Sequence, residues 1–231
     1  MDTHPIKIQR GMARQLQIWR ETVSSRDQRL GWKVGFNRLA DQQRLDLPSL
    51  MLGYLSHEHC LLTGEHYPAS PDASLLIEPE VAILIGHDVP AGSTVAQAQA
   101  AIAAYSAALE LVDTTRSVDN DIEEILAGNL FHASVVLAES RQAPGTFSRE
   151  QLDLSLSINN REVRTLEPDR VPDDFSRLII DVASILAANG EQLKSGDWII
   201  TGAAATPAPV QQGDEIKLDM GILGQTRMKI V

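Results

Sequence analysis

The 231-residue chain has a single cysteine, Cys60, which excludes an internal disulfide framework and a cysteine-rich zinc site. It is also short of positive charge. Twenty lysines and arginines against 31 aspartates and glutamates leave a formal net charge of −11, which argues against nucleic acid and anionic membrane surfaces as partners. No run is long and apolar enough to span a bilayer, and Met1-Asp2-Thr3-His4-Pro5 has no signal-peptide pattern. Repeats and low-complexity segments are absent as well. These absences predict a soluble, cytoplasmic protein. The hydrophobic fraction of 43% is ample for a large core. The length fits one domain, residues 31–231, preceded by a small helical arm over residues 1–30.

Against that background three glutamates stand out. Glu78 and Glu80 lie in Leu75-Leu76-Ile77-Glu78-Pro79-Glu80-Val81-Ala82-Ile83-Leu84, and Glu110 lies in Ala107-Ala108-Leu109-Glu110-Leu111-Val112-Asp113. Both runs read as buried strands, where an unpaired carboxylate costs roughly several kcal/mol. Side chains alternate along a strand, so Glu78 and Glu80 point the same way. Parallel carboxylates repel unless something positive sits between them. With Glu110 on a neighbouring strand, the three make a hard, all-oxygen set that suits Mg²⁺ or Mn²⁺. The alternative is a solvated surface pair, which the flanking apolar residues disfavour. Pro79 fits an edge strand or a bulge.

The rest of the chain reads as many strands with about three helices. Ile8, Met12, Leu16, Trp19 and Val23 recur at helical spacing after Pro5. Gly31–Phe36 is a short strand carrying Lys33, followed by a loop-rich stretch through Pro48 and Gly53 to Gly64. The alanine-rich segment Val95–Tyr105 predicts a helix leading into the Glu110 strand, and Ala133–Ala138 is another strand. Leu152–Asn159 and Arg161–Thr165 form a hairpin around Asn159-Asn160. Phe175, Leu178, Ile179, Val182, Ile185 and Leu186 mark an amphipathic helix that stops at Gly190. Asp197–Gly202, Asp214–Met220 and Thr226–Val231 close the chain as strands. This pattern predicts an α+β roll or barrel, not a doubly wound sheet.

Several segments, taken in order, resemble the fumarylacetoacetate hydrolase superfamily, in its branch of 2-keto-4-pentenoate hydratases and 4-oxalocrotonate decarboxylases. They are Gly31-Trp32-Lys33-Val34-Gly35, Glu78-Pro79-Glu80-Val81-Ala82, Leu109-Glu110-Leu111-Val112-Asp113-Thr114-Thr115-Arg116, Gly196-Asp197-Trp198-Ile199-Ile200-Thr201-Gly202 and Gln212-Gly213-Asp214. Each is weak alone; the ordered set is fairly specific. The resemblance implies a mixed β-roll of the family's C-terminal type, with Mg²⁺ (or Mn²⁺) held at its mouth by Glu78, Glu80 and Glu110. It implies a small 2-oxo acid or 2-hydroxydienoate as substrate, and a homo-oligomeric assembly. Lys33 is then expected to bind substrate or a catalytic water, and Thr201 and Gly202 to contact substrate. Asp113 and Arg116 are expected as structural partners of the site.

Two departures bear on the reaction. Hydratases of this branch carry an acid after the lysine strand, where this chain has Leu47-Pro48-Ser49-Leu50-Met51-Leu52-Gly53-Tyr54. A serine-bearing family segment is here Ala127-Gly128-Asn129-Leu130-Phe131-His132-Ala133, which keeps Asn129. His132 is therefore a candidate catalytic acid or base; a satisfied core or interface histidine is the alternative. His57 and His59 share a strand face on paper and could bind zinc with a distant third ligand, although exposed loop histidines are the plainer reading. The expected function is an Mg²⁺-dependent hydratase or decarboxylase working through a stabilised enolate. An acylpyruvate C–C hydrolase and a catalytically silent partner subunit are the alternatives.

Overall fold

The computed structural model describes residues 3–25, 28–115 and 121–231. In chain order the elements begin α1 (His4–Thr22), β1 (Arg29–Gly35), α2 (Leu39–Leu45), β2 (Met51–Ser56), β3 (Cys60–Leu61) and β4 (His66–Tyr67). Next come β5 (Leu75–Ile85), α3 (Val95–Ala100), β6 (Ile102–Asp113), α4 (Ile122–Ala127), β7 (His132–Leu137), β8 (Ser155–Ile158) and β9 (Arg161–Thr165). The chain closes with α5 (Phe175–Ala188), β10 (Trp198–Ala203), β11 (Ala208–Val210), β12 (Glu215–Asp219) and β13 (Gln225–Ile230).

An eight-stranded sheet in the order β2-β1-β10-β5-β6-β7-β3, with β11 also on β5, curls into a half-barrel. A five-stranded sheet, β4-β13-β12-β8-β9, packs against β6 and β7. The expected α+β roll holds. Its spine is the antiparallel β5–β6 ladder, which runs from Leu75 opposite Asp113 to Ile85 opposite Ile102. Most residues of β5 and β6 are buried, as a strand paired on both edges and covered on both faces requires.

The N-terminal helix follows the sequence reading closely. Met12, Leu16, Trp19 and Val23 enter the main core, and Trp19 meets Trp32 of β1 with ring centroids 5.1 Å apart. The other side of α1 lies on α4, where Gln15 Nε2 donates to the Leu126 carbonyl at 2.9 Å. Arg10 and Arg14 pair with Glu123 and Glu124 there. The Arg29 guanidinium stacks over both tryptophans and forks onto Asp197 with two 2.6 Å bonds. Asp197 of the Gly196–Gly202 motif is thereby a structural anchor.

The hairpin turn is as expected, with Asn159 and Asn160 at φ 52° and 62°. The long helix is capped by Asp174 Oδ1, which accepts from Ser176 N, and stops before Gly190 at φ +80°.

Three expectations are corrected. The helix predicted over Val95–Tyr105 is only six residues, ending at Ala100, and the strand starts at Ile102. Thr94 and Gln97 form the capping box that starts it, but pairing of Ile102 and Ala104 with β5 overrides the helical preference of alanine. The stretch read as loop after Phe36 contains α2 and β2, and β2 pairs with β1 over its whole length. Of the two settings expected for Pro79, the edge is excluded, because β5 has β6 on one side and β10 with β11 on the other, and the bulge is the one found. Its missing N–H falls beside a bulge in β10, as described next.

Candidate metal centre

Glu78 and Glu110 sit directly opposite each other on β5 and β6, and Glu80 follows Glu78 on the same face two residues on. One carboxylate oxygen from each of the three lies within 4.8 Å of the others. Among the described residues no other group of three or more potential ligand side chains gathers in this way. Glu80 and Glu110 are fully buried, and Glu78 is half-buried at the open side.

The neighbouring strand contributes backbone. Between Ile200 and Ala203 the pairing of β10 with β5 slips by one residue, a bulge that re-aims the chain. There Gly202, at φ +93°, donates its N–H to Glu80 Oε2 at 2.7 Å. A Cβ at Gly202 would come within 2.7 Å of the Asn37 amide, so the position requires glycine on two counts. Thr201 is buried, and its carbonyl accepts from Asn37 Nδ2 at 2.8 Å.

Lys33 reaches the cluster from β1. Its ammonium lies 2.5 Å from Glu110 Oε1 and donates to the Leu130 carbonyl at 3.0 Å. That carbonyl is presented by an unusual turn: Asn129, Leu130 and Phe131 are all left-handed, at φ 58°, 53° and 65°. Such backbone is strained for non-glycine residues. The Asn129 side chain holds it by accepting from Tyr54 N (2.8 Å) and donating to Tyr54 O (3.0 Å).

His132 Nδ1 lies 2.7 Å from the same Glu110 Oε1, and the imidazole is 2% exposed. Burial pushes its pKa down despite the favourable Glu110 contact, so the ring is neutral near pH 7. A neutral ring beside an ionised carboxylate donates from Nδ1, leaving Nε2 as an acceptor.

The electrostatics divide the three carboxyls. Burial would raise Glu110, but Lys33 and His132 outweigh it and hold Glu110 below the ordinary range. Burial, and then the facing Glu110, pushes Glu78 up to about 7, with Lys33 and Arg170 opposing. Glu80 is raised well above its usual value, by burial first and then by its two acidic neighbours. Glu80 Oε1 and Glu110 Oε2 are buried without any hydrogen-bond partner. Orphaned acceptors in a triple-carboxylate cluster fit a divalent cation.

A cavity of about 330 Å³ opens onto this cluster. Lys33, Glu78 and Gly202 line one end, Leu76, Val112 and Phe131 supply apolar wall, and Arg38, Arg44 and Arg170 also line it. The arginines were missed in the sequence because Arg38 and Arg44 lie at the start and in the last turn of the short helix α2 and Arg170 in a turn between prolines, none in a periodic pattern.

Other expected residues fall elsewhere. Asp113 closes the end of β6 by accepting from the N–H (2.9 Å) and hydroxyl of Thr115, and Arg116 lies outside the described residues. His57 and His59 are on a helical turn, not a strand face, because the chain bends at Ser56, whose hydroxyl caps that turn. They gather no third ligand among the described residues.

Comparison with known proteins agrees with this architecture. The profile of the fumarylacetoacetate (FAA) hydrolase C-terminal family matches residues 36–231. The chain therefore belongs to the fumarylacetoacetate hydrolase family. A 4-oxalocrotonate decarboxylase from Pseudomonas sp is 23% identical over 201 residues, covering 84% of this chain and 76% of the relative. A TodF product hydratase from Pseudomonas putida is 23% identical over 197 residues, covering 84% of this chain and 74% of the relative. Among solved structures, 4-oxalocrotonate decarboxylase from Pseudomonas putida G7, complexed with magnesium and adipate, superposes with a TM-score of 0.85 at 20% identity. The match covers 95% of this chain and 85% of that one.

Proposed function

We propose that this chain is an Mg²⁺-dependent (or Mn²⁺-dependent) lyase, a hydratase or decarboxylase acting on a small 2-oxo acid or 2-hydroxydienoate. The observation that carries this reading is the convergence of Glu78, Glu80 and Glu110, with two orphaned buried oxygens, beside a cavity that Glu78 and Lys33 line. The decarboxylase and hydratase names of the 23% identical relatives support it.

In this reading Glu78, Glu80 and Glu110 hold the cation. When bound it supplies Lewis-acid stabilisation to a substrate oxygen that gains negative charge. The chain's own groups do the rest. Gly202 N–H fixes the Glu80 carboxylate, and His132 fixes Glu110. Lys33 is held between Glu110 and the Leu130 carbonyl, and its third N–H, without a partner among the described residues, is placed to donate to a developing enolate oxygen or to deliver a proton. Leu76, Val112, Leu130 and Phe131 exclude water from the carbon chain. Gly202 lines the cavity beside the cluster and is placed to contact the substrate head, with Thr201 buried behind it.

The His132–Glu110 contact of 2.7 Å favours a second reading, a C–C hydrolase in which His132 is the base. Its side chain is 2% exposed, so in this state the ring meets no bulk water.

An ultraviolet assay with Mg²⁺ on 2-hydroxypenta-2,4-dienoate, 4-oxalocrotonate, oxaloacetate and an acylpyruvate, with products identified, tests the reading. Chelator-sensitive loss of a dienoate or oxalocrotonate chromophore is expected. Turnover of the acylpyruvate alone would establish the hydrolase, and no turnover with metal bound would leave a silent subunit.

A further inference from the structure

Lys33 has two fixed partners of different kinds. Glu110 Oε1, 2.5 Å from the ammonium, comes from the sheet itself, whereas the Leu130 carbonyl, at 3.0 Å, comes from the turn between α4 and β7. That turn runs through Asn129, Leu130 and Phe131 with φ at 58°, 53° and 65°. Left-handed backbone is open to asparagine but seldom entered by leucine or phenylalanine, so local preference does not hold three such residues in a row. Relaxation of Leu130 and Phe131 to right-handed backbone would turn the Leu130 carbonyl away from the ammonium.

The polar hold on the turn is a single side chain. β2 ends the eight-stranded sheet, so one of its edges has no neighbouring strand. The Asn129 carboxamide docks on that edge: Oδ1 accepts from Tyr54 N at 2.8 Å and Nδ2 donates to Tyr54 O at 3.0 Å. It gives Tyr54 the two bonds that a residue of a further antiparallel strand would give. Both side-chain bonds of Asn129 are spent there, and neither goes to a glutamate.

The same strand pair brings the carboxamide beside the lysine. Tyr54 lies opposite Trp32 on β1, and Gly53 lies opposite Lys33. A Cβ on Gly53 would meet Lys33 Cγ at 2.7 Å and Asn129 Oδ1 at 2.8 Å, so the lysine stem and the carboxamide share one gap. Leu130 is buried, and its Cδ1 lies 2.9 Å from where a Cβ on Gly35 would stand. The turn is thus seated on β1 and β2, with its carbonyl over the lysine.

We propose that Asn129 is a positioning residue for Lys33: its clasp on Tyr54 sets the Leu130 carbonyl, and that carbonyl aims the ammonium at the substrate. This rests on the lyase reading, in which Lys33 donates to a developing enolate oxygen. Loss of the clasp changes where the ammonium points and leaves the three glutamates in place. Turnover therefore falls while the cation is still held.

The test compares wild-type protein with Asn129→Gly and Asn129→Asp in the full chain. Glycine takes left-handed backbone without strain, so Asn129→Gly removes the carboxamide and not the conformation allowed at that position. Its kcat is expected to fall by about 10–100-fold, with KM and calorimetric Mn²⁺ affinity within about threefold of wild type. Asn129→Asp tolerates the same backbone and keeps the acceptor for Tyr54 N, and is expected to lose less. A second readout needs no turnover: the Nζ chemical shift of Lys33, the one buried lysine among the described residues, in metal-free protein labelled with nitrogen-15 lysine. That shift is expected to move in Asn129→Gly. A wild-type kcat in Asn129→Gly overturns the proposal, and so does an unmoved Lys33 shift. A fall in kcat matched by an equal fall in Mn²⁺ affinity also overturns it, by making Asn129 a support of the whole site. These three results leave the lyase reading standing. Absence of wild-type turnover on every substrate of the panel overturns that reading and the proposal together.

Discussion

Lys33 and Glu110 form a buried ion pair, 2.5 Å apart, on strands separated by β10 and β5. The pair crosses the half-barrel to lock one carboxylate of the cluster in its charged form, while Glu78 and Glu80 are raised. A cation entering the site therefore meets one carboxylate already ionised and favours deprotonation of the other two.

Lys33→Ala strands the Glu110 charge beside a neutral imidazole. Breaking a buried pair on one side destabilises by about 3–5 kcal/mol, and loss of a proton donor lowers kcat by about 10²–10⁴-fold. Denaturant unfolding and turnover of the same preparation check both. Full activity in Lys33→Ala would remove the lysine from the mechanism.

The cation-free protein should lose stability as pH rises. Glu78, at about 7 when folded against 4.5 ordinarily, and the raised Glu80 bind more protons folded than unfolded. Glu78's contribution is fully present below about pH 4.5 and is lost as pH climbs through 7, Glu80's acts in the same direction, and the lowered His132 opposes both in part. The melting temperature in chelator should fall between about pH 5 and pH 7.5. Saturating Mn²⁺ should offset the fall, and Mn²⁺ affinity should rise over the same interval. A chelated melting curve that is flat in pH would contradict the assigned protonation.

Gly53 leaves room for the lysine. A Cβ there would lie 2.7 Å from Lys33 Cγ and 2.8 Å from Asn129 Oδ1. Gly53→Ala should destabilise by about 1–3 kcal/mol and lower kcat more than it changes metal affinity. Mn²⁺ titration beside steady-state kinetics separates the two effects.

Much of the site was legible because buried strands make charge conspicuous. Glu78, Glu80 and Glu110 each interrupt an apolar run, and period-two alternation put the first two on one face. The helical stripe from Met12 to Val23 was equally plain. The start of β6 was not, since Ala101, Ala103 and Ala104 favour helix, and only the pairing of Ile102 and Ala104 with β5 makes a strand there. β2 was hidden by Gly53, which is there for Lys33 and not for a turn. Nothing in Asn129-Leu130-Phe131 signals three left-handed residues, and Arg170 gains its place only through Glu167 and Thr206, bonds that local pattern does not encode.

His132 distinguishes the lyase from the hydrolase reading. If the imidazole positions Glu110, His132→Gln should weaken Mn²⁺ binding about 10–100-fold, as loss of an outer hydrogen bond to a ligand does. Turnover should then recover at saturating metal. A kcat that stays depressed at saturating metal would make His132 a chemical participant.

The central claim is that three glutamates hold one divalent cation, and the most direct measurement is calorimetric Mn²⁺ binding to wild-type protein and to Glu80→Gln. The amide keeps a carbonyl oxygen for the Gly202 N–H while removing one carboxylate. One Mn²⁺ per wild-type chain, weakened in Glu80→Gln by more than about 100-fold, is the predicted result. Unchanged Mn²⁺ affinity in Glu80→Gln, or no binding by the wild type, would contradict the account.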